Sequence, residues 1–102
     1  MYISTSNLRV STHRAAELIT AFRRRAHAVE QHEGFVDLEI WQSDRDEGQI
    51  LMISRWRDRD CFKAYMKSND HRRSHERIDP DLKQAIKLES LEHMHTFEVV
   101  AQ

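Results

Sequence analysis

Two histidines have a spacing that suits metal binding. His71 and His75 are four positions apart, so both rings lie on one face if the segment is helical. Neutral imidazole is a good ligand for iron. The surrounding sequence, HRRSHER, is rich in arginine, and two solvated histidines on a charged helix face would show the same spacing. The pattern therefore leaves both a metal ligand and a solvated surface open.

Asn7 is unusual for its place in the chain. It lies within residues 2–10, which are predicted to form a strand, although asparagine has low strand propensity. Either its amide forms a hydrogen bond at the end of a sheet, or it is a fixed donor beside a ligand.

Other reactive side chains give weaker signals. His93 and His95 share a strand face, but no acid or cysteine lies at a convincing third-ligand spacing for zinc. Cys61 falls at helical spacing in CFKAYM and is predicted to be a small buried hydrophobe. The sequence has no glycine-rich phosphate loop, nucleophile elbow or paired-carboxylate motif.

Apolar periodicity predicts the elements that position these residues. After the strand over 2–10, Ser11 or Thr12 offers a hydroxyl cap for a helix whose apolar stripe reaches Val29 and which Gly34 ends. The remaining predicted elements are a hairpin of strands 35–43 and 49–57, a helix capped by Asp58 or Asp60, helical turns at 71–78 and after Asp79-Pro80, and a last strand over 88–100.

The order strand, helix, strand, strand, helix, strand predicts an α+β fold of the ferredoxin-like βαββαβ type, as one domain over residues 1–102. Strict alternation in the hairpin predicts two apolar faces, Phe35, Trp41, Met52 and Trp56 on one and Val36, Leu38, Leu51 and Ile53 on the other. The helices cover only one face of such a sheet. Large aromatic side chains on the other face indicate that a partner covers them, so we predict a homodimer.

Composition narrows the classes of function. The formal net charge is -1 and arginines alternate with acids, as in RWRDRD, which argues against binding to nucleic acid. No apolar run approaches the roughly 20 residues that span a bilayer, and the N-terminus does not read as a signal peptide. A single cysteine excludes an internal disulfide and suggests a reducing compartment. We therefore expect a cytoplasmic protein without nucleic-acid or membrane partners.

The chain resembles the antibiotic biosynthesis monooxygenases, a dimeric α/β-barrel family that includes the IsdG-type heme-degrading enzymes. The resemblance rests on Gly34-Phe35 at the start of the second strand, Trp56 before an acid-capped helix, His75, and FEVV at 97–100. It covers nearly the whole chain. It implies a ferredoxin-like subunit that pairs into a barrel.

Resemblance to the heme-degrading branch implies roles for individual residues. Asn7 matches a first-strand asparagine beside the dioxygen side of the heme, and His75 matches the histidine that binds the iron. Tyr65 stands where that branch has a tryptophan that presses on the porphyrin and helps to ruffle it. The smaller, hydroxylated ring leaves ring distortion, turnover and products open.

The same resemblance implies the walls of a pocket between helix and sheet. Phe22 and Met66 would supply apolar walls, and Arg25 would lie next to them. The arginines beside His75 suit a substrate with propionate groups, which they would bind through paired hydrogen bonds.

Three functions follow as expectations. The first is a heme-degrading monooxygenase, with heme as substrate and cofactor, dioxygen, and an external electron donor. The second is a cofactor-independent monooxygenase of polycyclic phenols that forms quinones, in which Asn7, Tyr65 and Trp56 position or deprotonate the substrate. The third is a non-catalytic dimeric module that binds a small ligand.

Overall fold

The structure, a computed structural model, describes residues 1–24, 28–69, 71 and 94–102, except for the side chain of residue 28. The predicted helical turns beyond His71 and the first half of the predicted last strand lie outside these residues.

Four antiparallel strands form one sheet in the order β2-β3-β1-β4. The strands are β1 (Tyr2–Arg9), β2 (Phe35–Gln42), β3 (Gln49–Trp56) and β4 (His95–Glu98). β1 lies in the middle, so its alternate side chains project to the two faces of a sheet with neighbours on both sides. With the two α-helices described below, this arrangement confirms the predicted α+β ferredoxin-like fold.

The first helix is shorter than the apolar stripe predicts. Helix α1 spans Ala15–Arg23, and Val29 lies in a separate 3-10 turn, Ala28–Gln31. Gly34 has the predicted left-handed backbone, with φ of +79°, but it follows the 3-10 turn rather than α1. Val29 still joins the core, which is why its position fits the stripe.

The predicted hydroxyl cap at Ser11 is wrong. A 3-10 turn, Thr12–Arg14, precedes α1, and no side chain caps it. The Arg14 N–H instead donates to the Ser11 carbonyl at 2.9 Å. The tighter turn satisfies a backbone amide that the hydroxyl would otherwise have bound.

The second helix begins where the sequence predicts. Helix α2 spans Arg59–Met66, and the carboxylate of Asp58 accepts a hydrogen bond from the Cys61 N–H at 2.9 Å. A side-chain acceptor at this position satisfies one of the free amides of the first helical turn.

A β-bulge corrects the predicted faces of the hairpin. Phe35 pairs with Trp56 and Asp37 pairs with Arg55, so Val36 is an extra residue in β2. The helix-facing side of the hairpin therefore carries Phe35, Leu38, Ile40, Met52 and Trp56, and the other side carries Asp37, Glu39, Trp41, Leu51 and Ile53. The prediction that Trp41 shares a face with Phe35 and Trp56, and that Leu38 lies opposite them, was wrong because strict alternation does not allow for an inserted residue.

Two clusters of buried side chains lie between the sheet and the helices. The α1 cluster consists of Leu8, Val10, Ala15, Leu18 and Ile50, and the α2 cluster of Tyr2, Val29, Trp56 and Phe62. Both clusters take even-numbered residues of β1, so both helices cover the same face.

The face turned away from the helices is called the outer face below. Its residues include Ile3, Thr5, Asn7, Trp41, Arg55 and Phe97. Phe97 is 54% exposed and Trp41 is 46% exposed. Arg55 donates to Asp37 at 2.9 Å and to Glu39 at 2.7 Å across the strands, and these bonds raise the pKa of its guanidinium. Within the described ranges, no helix is long and apolar enough to cross a membrane.

Candidate functional site

Tyr65 is the centre of an aromatic group at the C-terminal end of α2. Its ring centroid lies 5.2 Å from that of Trp56, on the side of the sheet. His32 and His71 make edge contacts with it, with centroids 4.9 Å and 5.3 Å away. Edge-to-face contacts restrict the orientation of a ring. The half-buried Tyr65 ring is thus held between the sheet and two imidazoles.

Trp56 anchors this group to the sheet. It is 1% exposed, and its indole N–H donates to the Ser54 hydroxyl at 3.0 Å. The rings of Phe35 and Phe62 contact it at centroid distances of 5.4 Å and 5.8 Å. The polar atom of Trp56 therefore has a partner, and the rest of the ring is packed in the α2 cluster.

The N-terminal cap of α2 fixes the residue at which the helix begins. The Asp58 carboxylate accepts from the Cys61 backbone N–H, from the Cys61 thiol and from Arg57, and these bonds hold its pKa below the ordinary value. Phe62 belongs to the α2 cluster, and Tyr65 and Met66, which follow it at helical spacing, pack against that cluster. The cap and the apolar face thus place Tyr65 and Met66 on the side of α2 that meets the sheet.

Three serines are buried on the helix-facing side of the sheet: Ser4, Ser6 and Ser54. Ser54 accepts the bond from Trp56, whereas the hydroxyls of Ser4 and Ser6 have no hydrogen-bond partner in the described residues. Along β1 they lie between Tyr2 of the α2 cluster and Leu8 of the α1 cluster. The sequence analysis did not identify Ser4 and Ser6 as candidate site residues, although the alternation in YISTSNLRV places both on the apolar face.

Asn7 lies on the outer face and is exposed. It pairs with Leu51 of β3, and the structure does not bring it together with Tyr65. Successive strand residues point to opposite faces, so its neighbour Ser6 takes the inner position. The chemical roles predicted for Asn7 and Tyr65 stay predictions.

The predicted pocket walls separate into two places. Phe22 packs against the α1 cluster, whereas Met66 packs against the α2 cluster beside Tyr65. The structure brings Met66 and Tyr65 together but not Phe22. Arg25 and His75 lie outside the described residues, as does His93.

A surface concavity of about 370 Å³ lies beside α2 and is polar in character. Arg57 donates there to Glu33 at 3.1 Å, to Asp58 at 3.2 Å and to the Cys61 sulfur at 3.1 Å. Because the Cys61 thiol donates to Asp58 and is partly desolvated, its pKa is raised. Glu33, Arg57, Asp58 and Cys61 in its lining are therefore paired with one another, and the raised pKa favours the thiol of Cys61 over a nucleophilic thiolate at neutral pH.

Cys61 is half-buried rather than buried as predicted, and it also has a packing role. It contacts the α2 cluster and approaches Gly34 so closely that a Cβ there would lie 2.5 Å from its sulfur. Among the described side chains, no group of three histidine, cysteine or acidic residues is arranged to hold a metal ion. His71, the described member of the predicted histidine pair, lies in the aromatic group around Tyr65.

Comparison with known proteins agrees with this fold. A heme-degrading monooxygenase of Halalkalibacterium halodurans is 30% identical over 77 residues, which are 74% of this chain. The match spans 66% of that relative's length.

Solved structures with this fold include both a heme-degrading protein and a cofactor-independent oxygenase. The heme-degrader MhuD from Mycobacterium tuberculosis, with two hemes bound in its active site, superposes with a TM-score of 0.78 at 20% identity, over 100% of this chain and 98% of that one. SnoaB, a cofactor-independent oxygenase from Streptomyces nogalater, superposes with a TM-score of 0.76 at 17% identity, over 99% and 94%. At these identities the superpositions establish the fold.

The family model for antibiotic biosynthesis monooxygenase matches residues 1–77, which contain β1 to β3 and both α-helices. This protein belongs to the antibiotic biosynthesis monooxygenase family.

Proposed function

We propose that this protein is a heme-binding monooxygenase that degrades heme with dioxygen and an external electron donor. The observation that supports it most is the aromatic group in which Trp56, His71 and His32 hold the ring of Tyr65. A half-buried aromatic side chain at the junction of helix and sheet suits a flat aromatic ligand. The heme-degrading relative points to the same ligand class.

The described residues fit such a ligand. A heme site needs apolar walls and a few polar groups that set orientation. Tyr65 and Met66 provide a wall on α2, and the buried, unpartnered hydroxyls of Ser4 and Ser6 provide polar groups on the sheet. A buried hydroxyl usually has a hydrogen-bond partner, and an oxygen of a bound ligand would supply one for these serines.

The chain would then act by holding and orienting the ligand. His75 is proposed as the iron ligand and the arginines that flank it as partners of the propionates. Tyr65 would press on one face of the macrocycle, and the α2 cluster behind it would keep water out. Bound heme supplies the activation of dioxygen, which no side chain in this chain provides by itself.

The outer face supports the proposal of a homodimer. Trp41 and Phe97 project from it with about half of each side chain exposed, although both are large and apolar. Full burial of a large apolar side chain contributes roughly 1.5–3 kcal/mol, and an interface would gain about half of that for each of these half-covered side chains. A second copy that covers the outer face would bury both pairs symmetrically.

A cofactor-independent oxidation of polycyclic phenols is the second candidate. The observation that favours it is the burial of the Ser4 and Ser6 hydroxyls without a partner in the described residues, since hydroxyls bind phenolic and quinone oxygens directly. A non-catalytic ligand-binding module would use the same residues without turnover.

The test is a titration of the full chain with hemin, followed by the Soret band, before and after ascorbate in air. The proposal expects saturable binding at one site, loss of the band on reduction in air, and a changed spectrum for His75→Ala. His95→Ala, on the exposed strand β4, is the matched histidine control and should bind as wild type does.

Each alternative result has a distinct meaning. Absence of a saturable Soret band would exclude the heme-binding proposal. Heme that binds but survives ascorbate and oxygen would leave a ligand-binding module. Oxidation of an anthrone without added metal, in a sample that does not bind hemin, would establish the second candidate.

A further inference from the structure

We propose that Ser6, and not Asn7, is the β1 residue that hydrogen-bonds the bound substrate, with the hydroxyl of Ser4 next to it. This inference rests on the proposed function and names the polar contact of that site. The ligand class it fits is a flat aromatic molecule with an oxygen-bearing part that would face the sheet.

The side chains of Ser6 and Asn7 point to opposite faces of the sheet. Ser6 pairs with Met52 of β3, whose face also carries Ile50 and Trp56. Both of those residues are buried in the clusters that the helices cover. Asn7 points to the outer face, so the two neighbours on β1 cannot serve the same pocket.

The hydroxyls of Ser4 and Ser6 are buried without a hydrogen-bond partner in the described residues. Ser4 and Ser6 are 5% and 8% exposed, and neither hydroxyl forms a hydrogen bond within the described residues. A buried hydroxyl usually has a partner, and one without a partner destabilises the fold. Ser54, on the same face, shows the ordinary arrangement, since it accepts from the Trp56 indole. The unpartnered pair is therefore better explained by a ligand than by packing.

Ser4 and Ser6 lie on the stretch of β1 between the two clusters. Residues two apart on a strand lie about 7 Å from each other, so Ser4 and Ser6 present two hydroxyls at that separation between the α1 and α2 clusters. Tyr65 and Met66 pack against the α2 cluster, and Phe22 packs against the α1 cluster. A ligand seated between the clusters would meet an aromatic side chain at one end and hydroxyls at the sheet.

A serine hydroxyl both donates and accepts, and its side chain is short. It would therefore contact only a ligand atom that lies directly against β1, and it would fix the depth and orientation of the ligand without transferring a proton of its own.

The experiment compares Ser6→Ala, Ser6→Thr and Asn7→Ala by hemin titration and by thermal unfolding of the ligand-free protein. Ser6→Ala is expected to weaken hemin binding about 3- to 10-fold, the factor that one neutral hydrogen bond contributes. Its Tm without ligand should stay the same or rise, because an unpaired hydroxyl is removed. Ser6→Thr keeps the hydroxyl and should restore most of the affinity.

The outcomes separate this inference from the proposed function. If wild type binds hemin and Ser6→Ala binds it equally well, the inference is overturned and the proposed function stands. If Asn7→Ala loses affinity and Ser6→Ala does not, Asn7 is the contact after all. A lower Tm for ligand-free Ser6→Ala, with unchanged affinity, would show a structural hydroxyl. A wild type that binds no hemin overturns both.

Discussion

Trp56 and Ser54 lie two residues apart on β3, and the indole N–H of the first donates to the hydroxyl of the second at 3.0 Å within the core. The bond satisfies the only polar group of the Trp56 side chain, the largest buried side chain in the α2 cluster. It also keeps Trp56 in the orientation in which its ring meets Tyr65.

Ser54→Ala should therefore destabilise the protein. The substitution leaves a buried indole N–H without an acceptor, and such a group costs about 1–3 kcal/mol of the free energy of unfolding. Chemical denaturation followed by tryptophan fluorescence measures the change. In a Trp56→Phe background, followed by circular dichroism, Ser54→Ala should cost clearly less, since no donor remains. Equal costs in the two backgrounds would mean that the hydrogen bond does not contribute.

Gly34→Ala should be destabilising for two reasons that can be separated. At φ of +79° an L-residue costs about 1–2 kcal/mol. The added Cβ would also lie 2.5 Å from the Cys61 sulfur and 2.6 Å from its Cβ, and overpacking of this kind costs roughly 1–3 kcal/mol. Repeating Gly34→Ala in a Cys61→Gly background removes the steric part, so the cost in urea denaturation should fall to the backbone part. An undiminished cost would argue that the contact with Cys61 is unimportant.

Asp58 should make stability depend on pH in the acid range. Its pKa in the folded protein is below the ordinary 3.8, chiefly because the Cys61 backbone N–H donates to the carboxylate. The stabilisation is therefore fully present above about pH 4, the unfolded value. It is lost as the pH falls through the folded pKa.

The check is Asp58→Asn, which keeps a capping oxygen but not the charge. Its Tm should lie below that of wild type at neutral pH, and the difference should shrink as the pH falls below 3.8. Asp60→Asn removes a carboxylate from the same helical turn and measures what charge alone contributes. A difference in Tm that stays constant across the acid range would contradict the role given to the Asp58 carboxylate.

Phe97→Glu should dissociate the proposed homodimer. Phe97 pairs with Ile3 on the outer face, and a carboxylate buried at that position in an interface would be unpaired. Sedimentation velocity should give a mass near twice that of one chain for wild type and near one chain for the variant. Val100→Glu places the same charge on an exposed apolar residue beyond β4 and should leave the dimer intact. A monomeric wild type would refute the homodimer.

Tyr65→Ala should weaken hemin binding by on the order of tenfold, because the ring that Trp56 and His71 hold in place would be lost. Tyr65→Phe keeps the ring and removes only the hydroxyl. It should bind hemin nearly as wild type does if packing is the main role of Tyr65. Loss of affinity in Tyr65→Phe would instead assign that role to the hydroxyl.

The sequence alone determines much of this protein, since local signals decide it. The strand at β1, the apolar residues of α1, the Asp58 cap and the left-handed Gly34 depend on chain neighbours within a few positions, and each was predicted. Their order leads to the ferredoxin-like fold because few topologies connect such elements with short loops. The resemblance to the antibiotic biosynthesis monooxygenases could be read from the same segments.

Only the tertiary structure decided which residues share the candidate site. The extra residue Val36 reverses part of the predicted face assignment, and a bulge of this kind becomes visible only when β2 is paired with β3. Asn7 was predicted as a site residue partly because asparagine is rare in strands. In the paired sheet its side chain lies on the outer face, and that of Ser6 lies on the face that the helices cover. A one-residue difference along a strand exchanges the faces, and residue type alone does not determine which face the helices cover.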